Sequence, residues 1–252
     1  MDPVRAARSG GSQQPPAILY EDAWLVAVDK PVGIIVHADG TGTQTLTDLV
    51  RAMLIARDGA GDAQAAAELQ PLQRLDRETT GIVLFSKQKA AQPAFDALIA
   101  SRQIEKRYLA IVHGRFPADP RTFDAAIGRD RHDARRMRES RTGKPARTSA
   151  QLIAHAPADA HGAERSLLAV DLLTGRKHQI RVHLGAAGFP IWGDALYGHP
   201  SARERAGGLM LHAAEMAFTH PVAGNPVRIQ APYPARFEPL FPKTSQKGTD
   251  TN

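Results

Sequence analysis

The chain has 252 residues, a formal net charge of +6 and no cysteine. It is long enough to bury a substantial core as one large domain or two small ones. The lack of cysteine excludes disulfides and thiolate metal sites. No apolar run reaches the length of a membrane span, and the first sixteen residues contain no signal-peptide hydrophobic region. These features predict a soluble, cytoplasmic protein with no membrane partner.

Strands and helices are predicted to follow one another without a regular βαβ period. In chain order they are a strand at 24–28, a helix at 46–54, a loose loop rich in Ala and Gly at 58–68, a strand at 82–85, a helix at 95–99, strands at 107–112 and 167–173, a helix at 178–187, and short strands at 209–211 and 217–218. Such mixing favours an α+β fold with a mixed sheet over a doubly wound one.

One domain is predicted between two tails. Residues 1–16 and 241–252 are polar and predict disordered ends, and residues 17–240 contain no repeat or long linker. Residues 17–240 are therefore predicted to form a single catalytic-size domain.

One acid lies between two arginines at the mouth of a predicted strand. Asp76 follows Arg74 by two residues and directly precedes Arg77, and the apolar run at 82–85 predicts a strand buried on both faces. A carboxylate bracketed by guanidinium groups stays ionised well below neutral pH, as a nucleophilic carboxylate must. Taken alone, this segment favours the simpler interpretation of a turn acid with solvated neighbours.

Most of the net positive charge is concentrated in one polar segment. Between Gly128 and Arg147 there are three acidic residues and eight basic ones, which are Arg129, Arg131, Arg135, Arg136, Arg138, Arg141, Lys144 and Arg147. The segment therefore carries five of the six net charges. A charge run is usually a solvated loop, but one so rich in arginine favours contact with phosphate, which arginine binds through two N–H groups at once.

A second group of hydrogen-bond donors opens the helix predicted at 178–187. Arg176, His178 and Arg181 lie where free backbone N–H groups already favour an anion. The spacing of His178 and His183 also suggests a metal site, but no acid stands at ligand spacing beside them and five residues fit one helix face poorly. No metal site is therefore predicted.

The ordered motifs resemble those of the RluA-type RNA pseudouridine synthases. They are Arg-Leu-Asp-Arg-Glu-Thr-Thr-Gly at 74–81, Lys-Arg-Tyr-Leu-Ala at 106–110 and Gly-Arg-Lys-His-Gln-Ile-Arg-Val-His-Leu at 175–184, with flanking matches at 30–37, 188–198, 211–213 and 220–221. The similarity runs from about residue 18 to 234. Gln73 and Thr80 stand where the family often has His and Ser. There is no room before Ile18 for the small RNA-binding domain that many relatives carry.

The resemblance implies an α+β fold with a mainly antiparallel sheet, a central catalytic cleft and conversion of uridine to pseudouridine within RNA. In that family the position of Asp76 is the nucleophile, Arg176 resembles its ion-pair partner, and Tyr108 stacks on the base and helps to move a proton. Arg74 is the candidate for flipping the base out of its helix. Further RNA contacts are expected from Arg77, Lys106, His178, Arg181, Arg135, Arg136 and Arg138.

The reaction implied by the resemblance requires no cofactor and no metal, and the protein is expected to act as a monomer. Ribosomal large-subunit RNA is the favoured substrate, with transfer RNA as the alternative. A catalytically idle RNA-binding or ribosome-assembly protein on the same fold remains an alternative, although Asp76, Tyr108 and Arg176 are all present. A nucleoside hydrolase would share the aspartate but release the base. Tyr108 alone is also typical of a core tyrosine.

Overall fold

The computed structural model describes residues 15–40, 42–57, 59–157 and 164–243. Most of the two predicted tails lies outside these ranges. Phe241, which the sequence analysis assigned to the C-terminal tail, is only 2% exposed and packs into the largest apolar cluster. Packing therefore continues past residue 240.

Most strands of the described chain belong to one sheet, and short helices lie against it. The strands are β1 Ile18–Glu21, β2 Leu25–Lys30, β3 Gln70–Pro71, β4 Thr80–Ser86, β5 Glu105–His113, β6 Arg121–Asp124, β7 Ile127–Arg129, β8 Met137–Glu139, β9 Arg147–Ala156, β10 Arg165–Leu172, β11 Leu211–Thr219 and β12 Pro226–Gln230. The helices are α1 Leu46–Ile55, α2 Ala60–Glu68, α3 Gln92–Ala100, α4 Gln179–Ala186 and α5 Ala202–Gly207.

The ten-stranded sheet has the order β1-β2-β4-β11-β5-β10-β9-β6, with β3 also paired to β4 and β12 to β11. Its pairs are antiparallel except for β4 with β11, which run parallel. β7 and β8 form a separate two-stranded hairpin. The prediction of an α+β fold with a mixed, mainly antiparallel sheet is confirmed.

The central strand β4 is buried along its whole length, as its apolar run predicts. Three apolar clusters pack helices against the sheet. One contains α1 and α2, the second contains α3, and the third contains α4. Helix α1 begins with a capping box in which the Thr45 hydroxyl accepts from the Asp48 N–H and the Asp48 carboxylate accepts from the Thr45 N–H.

Two predicted elements were wrong. The loop predicted at 58–68 is helix α2 over Ala60–Glu68, while residue 58 lies outside the described ranges. Alanine is the best helix former, and the small Ala65 and Ala66 side chains are buried against α1 without a wider apolar stripe. The two short strands predicted at 209–211 and 217–218 are replaced by one strand, β11, which begins at Leu211 and continues to pair with β5 between them.

Gly81 permits the parallel pairing of β4 with β11. Its φ of +104° is rarely adopted by residues with a side chain, and an added Cβ would overlap the Ala213 carbonyl oxygen. Thr80 pairs with His212 and Gly81 with Ala213 at this junction. The glycine therefore lets the strand that follows the Asp76 loop enter the middle of the sheet.

Replacing Gly81 with alanine is expected to lower the free energy of unfolding by at least about 3 kcal/mol, because a strained φ is combined with a backbone clash. The matched control is Gly224→Ala, where φ is +78° but nothing lies within 4 Å of the added Cβ. The control is expected to lose only about 1 kcal/mol. Urea unfolding of both variants tests this, and equal losses would show that the approach to Ala213 is not a constraint.

Candidate active site

A basic cleft of about 810 Å³ crosses the sheet beside β5 and β11. Its walls come from the segments 35–39, 72–79, 99–108 and 172–181, together with residues 129 and 211. Two acids, Asp39 and Asp76, line it against seven basic residues, which are Arg74, Arg102, Lys106, Arg129, Arg176, Lys177 and Arg181. Such an excess of one sign attracts an anionic ligand.

The loop that carries Asp76 is fixed to the end of β2. The Arg77 carbonyl oxygen accepts hydrogen bonds from Lys30 Nζ and from the Gly33 N–H, each at 2.9 Å, and Arg77 Nε donates back to the Gly33 carbonyl. Lys30 is fully buried, and this burial lowers its pKa to about 7. These bonds restrain the backbone directly after the carboxylate, so Asp76 has a defined direction.

Asp76 forms an ion pair with Arg181. Arg181 Nη1 lies 3.0 Å from Asp76 Oδ2, and its Nε and Nη2 each donate to the Asp194 carboxylate at 2.8 Å. Burial lowers the pKa of Arg181, but hydrogen bonds and charges from Asp194 and Asp76 outweigh it, and the net shift is upwards. The guanidinium therefore stays charged and bridges the two carboxylates.

The assignment of Arg176 as the partner of Asp76 is corrected by this geometry. Arg176 lines the same cleft, but its Nε donates to the Pro145 carbonyl at 3.0 Å. Arg176 lies in the turn before α4, whereas Arg181 is in the first turn of the helix. The N-terminal end of a helix favours a carboxylate, which is consistent with the position of Asp76.

Tyr108 and Lys106 lie on the same side of β5 and both line the cleft. Tyr108 is 6% exposed, and burial, followed by the charge of Asp76, raises the pKa of its hydroxyl. Burial lowers the pKa of the Lys106 amine. The cleft thus presents a protonated phenol and a lysine on one strand.

His178 is the second group facing Asp76. Its Nε2 lies 3.7 Å from Asp76 Oδ2, and its Nδ1 lies 2.7 Å from the Tyr197 hydroxyl. The residue has a φ of +57° at the start of α4, which turns the chain into the helix. His183 does not join the cleft: its two ring nitrogens contact Thr148 Oγ1 and the Ala125 carbonyl, each at 2.9 Å.

Not all of the remaining predicted RNA-binding residues line the cleft. Arg74 is exposed on the lining, and Arg77 is largely exposed. From the arginine-rich segment, only Arg129 of the described residues lines the cleft. Arg135 is held by Asp133 at 2.7 Å, and Arg136 lies over the Tyr197 ring at 5.3 Å. Arg138 is exposed on β8.

The two departures from the family pattern have structural partners. Gln73 Nε2 donates to the Ile82 carbonyl and to Met216 Sδ, each at 3.2 Å. Thr80 Oγ1 lies 2.8 Å from His212 Nδ1. Neither Asp194 nor Tyr197 is among the site residues predicted from the sequence. The available signal for both was the family match at 188–198, which contains them.

Comparison with known proteins decides the family. A family model described as RNA pseudouridylate synthase matches residues 24–186, well over half of the chain. The chain belongs to the RluA-type RNA pseudouridine synthases. It is accordingly an RNA pseudouridine synthase, an isomerase that acts on RNA.

Individual relatives agree with this assignment. An RNA pseudouridine synthase of Bacillus subtilis, YlyB, is 33% identical over 232 residues, covering 92% of this chain and 73% of its own. The ribosomal large subunit pseudouridine synthase D of Xylella fastidiosa is 39% identical over 230 residues, covering 86% and 66%. The structure of human RNA pseudouridylate synthase domain containing 1 superposes with a TM-score of 0.72 at 28% identity, covering 89% of this chain and 86% of that one.

The basic cleft therefore belongs to a protein of the RNA pseudouridine synthase family. Within the described residues, no helix is both long and apolar enough to cross a membrane. The roles of individual side chains are a separate question, since family membership does not assign them.

Proposed function

We propose that this synthase converts specific uridines of structured RNA, with ribosomal large-subunit RNA favoured over transfer RNA, and that Asp76 is its nucleophile. The observation that carries the proposal is the 3.0 Å contact between Arg181 and Asp76 in a basic cleft beside Tyr108. The choice of RNA is supported by relatives named ribosomal large subunit pseudouridine synthase D. Since such RNA is cytoplasmic in bacteria, the proposed location of the protein is the cytoplasm. The protein is proposed to act as a monomer.

The Asp76 carboxylate is well arranged for attack on the substrate. Arg181 and His178 both approach Oδ2, and no described residue forms a hydrogen bond to Oδ1. Oδ1 is therefore available for attack while Arg181 holds the carboxylate in place through Oδ2. In the isomerisation, the Asp76 carboxylate forms a bond to the substrate and the bond from C1′ to N1 of the base breaks. The base then rotates, C1′ bonds to C5, and the carboxylate is released. C5 loses its proton and N1 gains one, so the product has the mass of uridine.

Tyr108 serves the base during this rotation. Its ring provides an aromatic surface in the cleft, and the raised pKa keeps its hydroxyl protonated at neutral pH. Tyr108 therefore stacks on the base and donates a hydrogen bond, rather than removing the C5 proton as a phenolate. The reaction exchanges no electrons and needs no activated donor, so the proposal includes no cofactor or metal.

The target uridine must leave its helix before it reaches Asp76. Arg74 is exposed at the mouth of the cleft, two residues before Asp76, and it fills the vacated space or binds the adjacent phosphate. Arg77, Lys106 and the arginine-rich segment contact the flanking backbone.

The experiment that tests this function incubates the purified protein with transcripts of large-subunit ribosomal RNA and of transfer RNAs. Nucleosides are then analysed by liquid chromatography and mass spectrometry. The expected result is pseudouridine at the mass of uridine, formed in ribosomal RNA first. Loss of base mass would instead identify a hydrolase. RNA binding without either product would support the RNA-binding alternative.

Replacing Arg129 with glutamine is expected to reduce the salt dependence of RNA binding. A side chain that contacts one phosphate contributes about 0.7 to 0.9 to the slope of log K against log salt. The matched control is Arg228→Gln, because Arg228 lies on β12, does not line the cleft and is paired with Glu215 at 2.6 Å. Filter binding at several salt concentrations measures both slopes. A larger change for Arg228→Gln would contradict a phosphate contact at Arg129.

A further inference from the structure

Tyr197 lies between the hairpin β7–β8 and the carboxylate of Asp76. The Met137 N–H, on β8, donates to the Tyr197 hydroxyl oxygen at 2.8 Å. The same oxygen lies 2.7 Å from His178 Nδ1, and His178 Nε2 is 3.7 Å from Asp76 Oδ2. A continuous polar chain therefore runs from the backbone of the hairpin to the catalytic carboxylate.

The pattern of donors is compatible with one arrangement of the protons in this chain, which the proposal adopts. The Met137 N–H fills one acceptor site of the Tyr197 oxygen, and in this arrangement the hydroxyl proton points at His178 Nδ1. An accepting Nδ1 leaves the ring proton on Nε2, where it faces the Asp76 carboxylate. Burial lowers the pKa of His178, which favours the neutral ring that this arrangement requires.

The Tyr197 ring also lies close to two guanidinium groups. The Arg181 guanidinium lies over the ring at 5.2 Å, and that of Arg136, from the hairpin segment, lies over it at 5.3 Å. The Tyr197 backbone N–H donates to the carboxylate of Asp194, which holds Arg181. One turn thus controls the direction of both groups that approach Asp76.

We propose that Tyr197 is a positioning residue that orients the Nε2–H of His178 towards Asp76 and makes that orientation depend on the hairpin β7–β8. RNA that binds the arginine-rich hairpin then stabilises Met137, Tyr197 and His178 in the arrangement that directs the Nε2–H at Asp76. This inference rests on the proposed role of Asp76 and adds a connection between RNA docking and that side chain.

The first test is Tyr197→Phe, which keeps both ring contacts and removes only the hydroxyl. The expected result is a fall in kcat of about tenfold with KM and RNA affinity unchanged, because a lost buried hydrogen bond misdirects His178 without removing an RNA contact. The matched control is Tyr20→Phe. Tyr20 lies on the edge strand β1, and the variant loses a 2.7 Å hydrogen bond from its hydroxyl to Asp22. An unchanged kcat for Tyr197→Phe would overturn the proposal.

A double-mutant cycle separates action through His178 from a general structural effect. His178→Asn suits the positive φ, since asparagine tolerates the left-handed region. If Tyr197 acts through His178, adding Tyr197→Phe to His178→Asn lowers kcat no further. Multiplicative losses would mean that the hydroxyl acts elsewhere, and the proposal would fail.

The dependence on the hairpin has its own variant. Met137→Pro removes the N–H that Tyr197 accepts, and that N–H points out of the two-stranded ladder, where proline is tolerated. It is expected to reproduce the kcat loss of Tyr197→Phe, with no additional loss in the double variant. Wild-type kcat for Met137→Pro would remove the hairpin from the proposal.

The tautomer of His178 is a readout that does not depend on activity. Nitrogen-15 NMR of the wild-type protein is expected to show a protonated Nε2 and a bare Nδ1, with mixed tautomers in Tyr197→Phe. A protonated Nδ1 in the wild type would overturn the proposal even in an active enzyme. Conversely, a wild type that forms no pseudouridine in any RNA would refute the proposed function and leave the tautomer result standing.

Discussion

Asp76→Asn is expected to reduce pseudouridine formation by more than about 10³-fold while RNA affinity stays within about twofold. The amide keeps the size of the side chain but removes the charge that Arg181 holds at 3.0 Å. A neutral oxygen is a poor nucleophile, so chemistry is lost and binding by the surrounding arginines remains. Single-turnover assays on a target transcript, paired with filter binding, measure the two effects separately.

The matched control for that variant is Asp119→Asn, which changes an exposed acid in the loop after β5. It is expected to have wild-type activity and affinity. Turnover by Asp76→Asn within tenfold of the wild type would remove Asp76 from its proposed role. Equal loss of RNA binding would instead show that the carboxylate organises the cleft rather than reacting.

Asp194→Asn is expected to be the most destabilising conservative change in the site. Asp194 is 1% exposed and holds two nitrogens of Arg181 at 2.8 Å, so its loss leaves a buried guanidinium half paired. Breaking a buried pair costs about 3 to 5 kcal/mol. For a chain of this size the melting temperature should fall on the order of 10 °C. Pseudouridine formation should also fall, since Arg181 is released from its position beside Asp76.

The control for Asp194 is Asp171→Asn, which breaks a surface pair of similar shape. Arg107 Nε lies 2.8 Å from Asp171, but both side chains are about half exposed, at 54% and 44%. An exposed pair contributes less than about 1 kcal/mol, so a shift of only a few degrees is expected. Equal shifts for the two variants would contradict the buried bridge as the support of Arg181.

Local sequence patterns were sufficient to predict the parts of the fold that depend on interactions between residues close in sequence. The apolar run of β4, the capped helix α1 and the strand that carries Tyr108 follow from periodicity and turn chemistry. The alanine-rich helix α2 was missed because its buried side chains are small and give little hydrophobic contrast. Strand β11 was divided because the half-buried Ala214 and Glu215 interrupt its buried pattern.

The candidate site shows the limit of sequence reasoning more clearly. The family resemblance predicted Asp76 and an arginine partner in one cleft, but it pointed to Arg176 instead of Arg181. The choice depends on the turn before α4, where a positive φ at His178 redirects the chain, and no local pattern encodes that reversal. Asp194 holds Arg181 and Tyr197 holds His178 only through tertiary contacts, so their part in the site required the structure.

The most direct test of the proposed function maps pseudouridines by carbodiimide-dependent stops of reverse transcriptase. Total RNA is compared from cells with the gene intact, deleted, and restored with the wild type or with Asp76→Ala. We expect a stop in large-subunit ribosomal RNA that disappears on deletion and returns only with the wild type. A stop that returns with Asp76→Ala would contradict the role of Asp76, and unchanged stops in ribosomal and transfer RNA would contradict the proposed substrate.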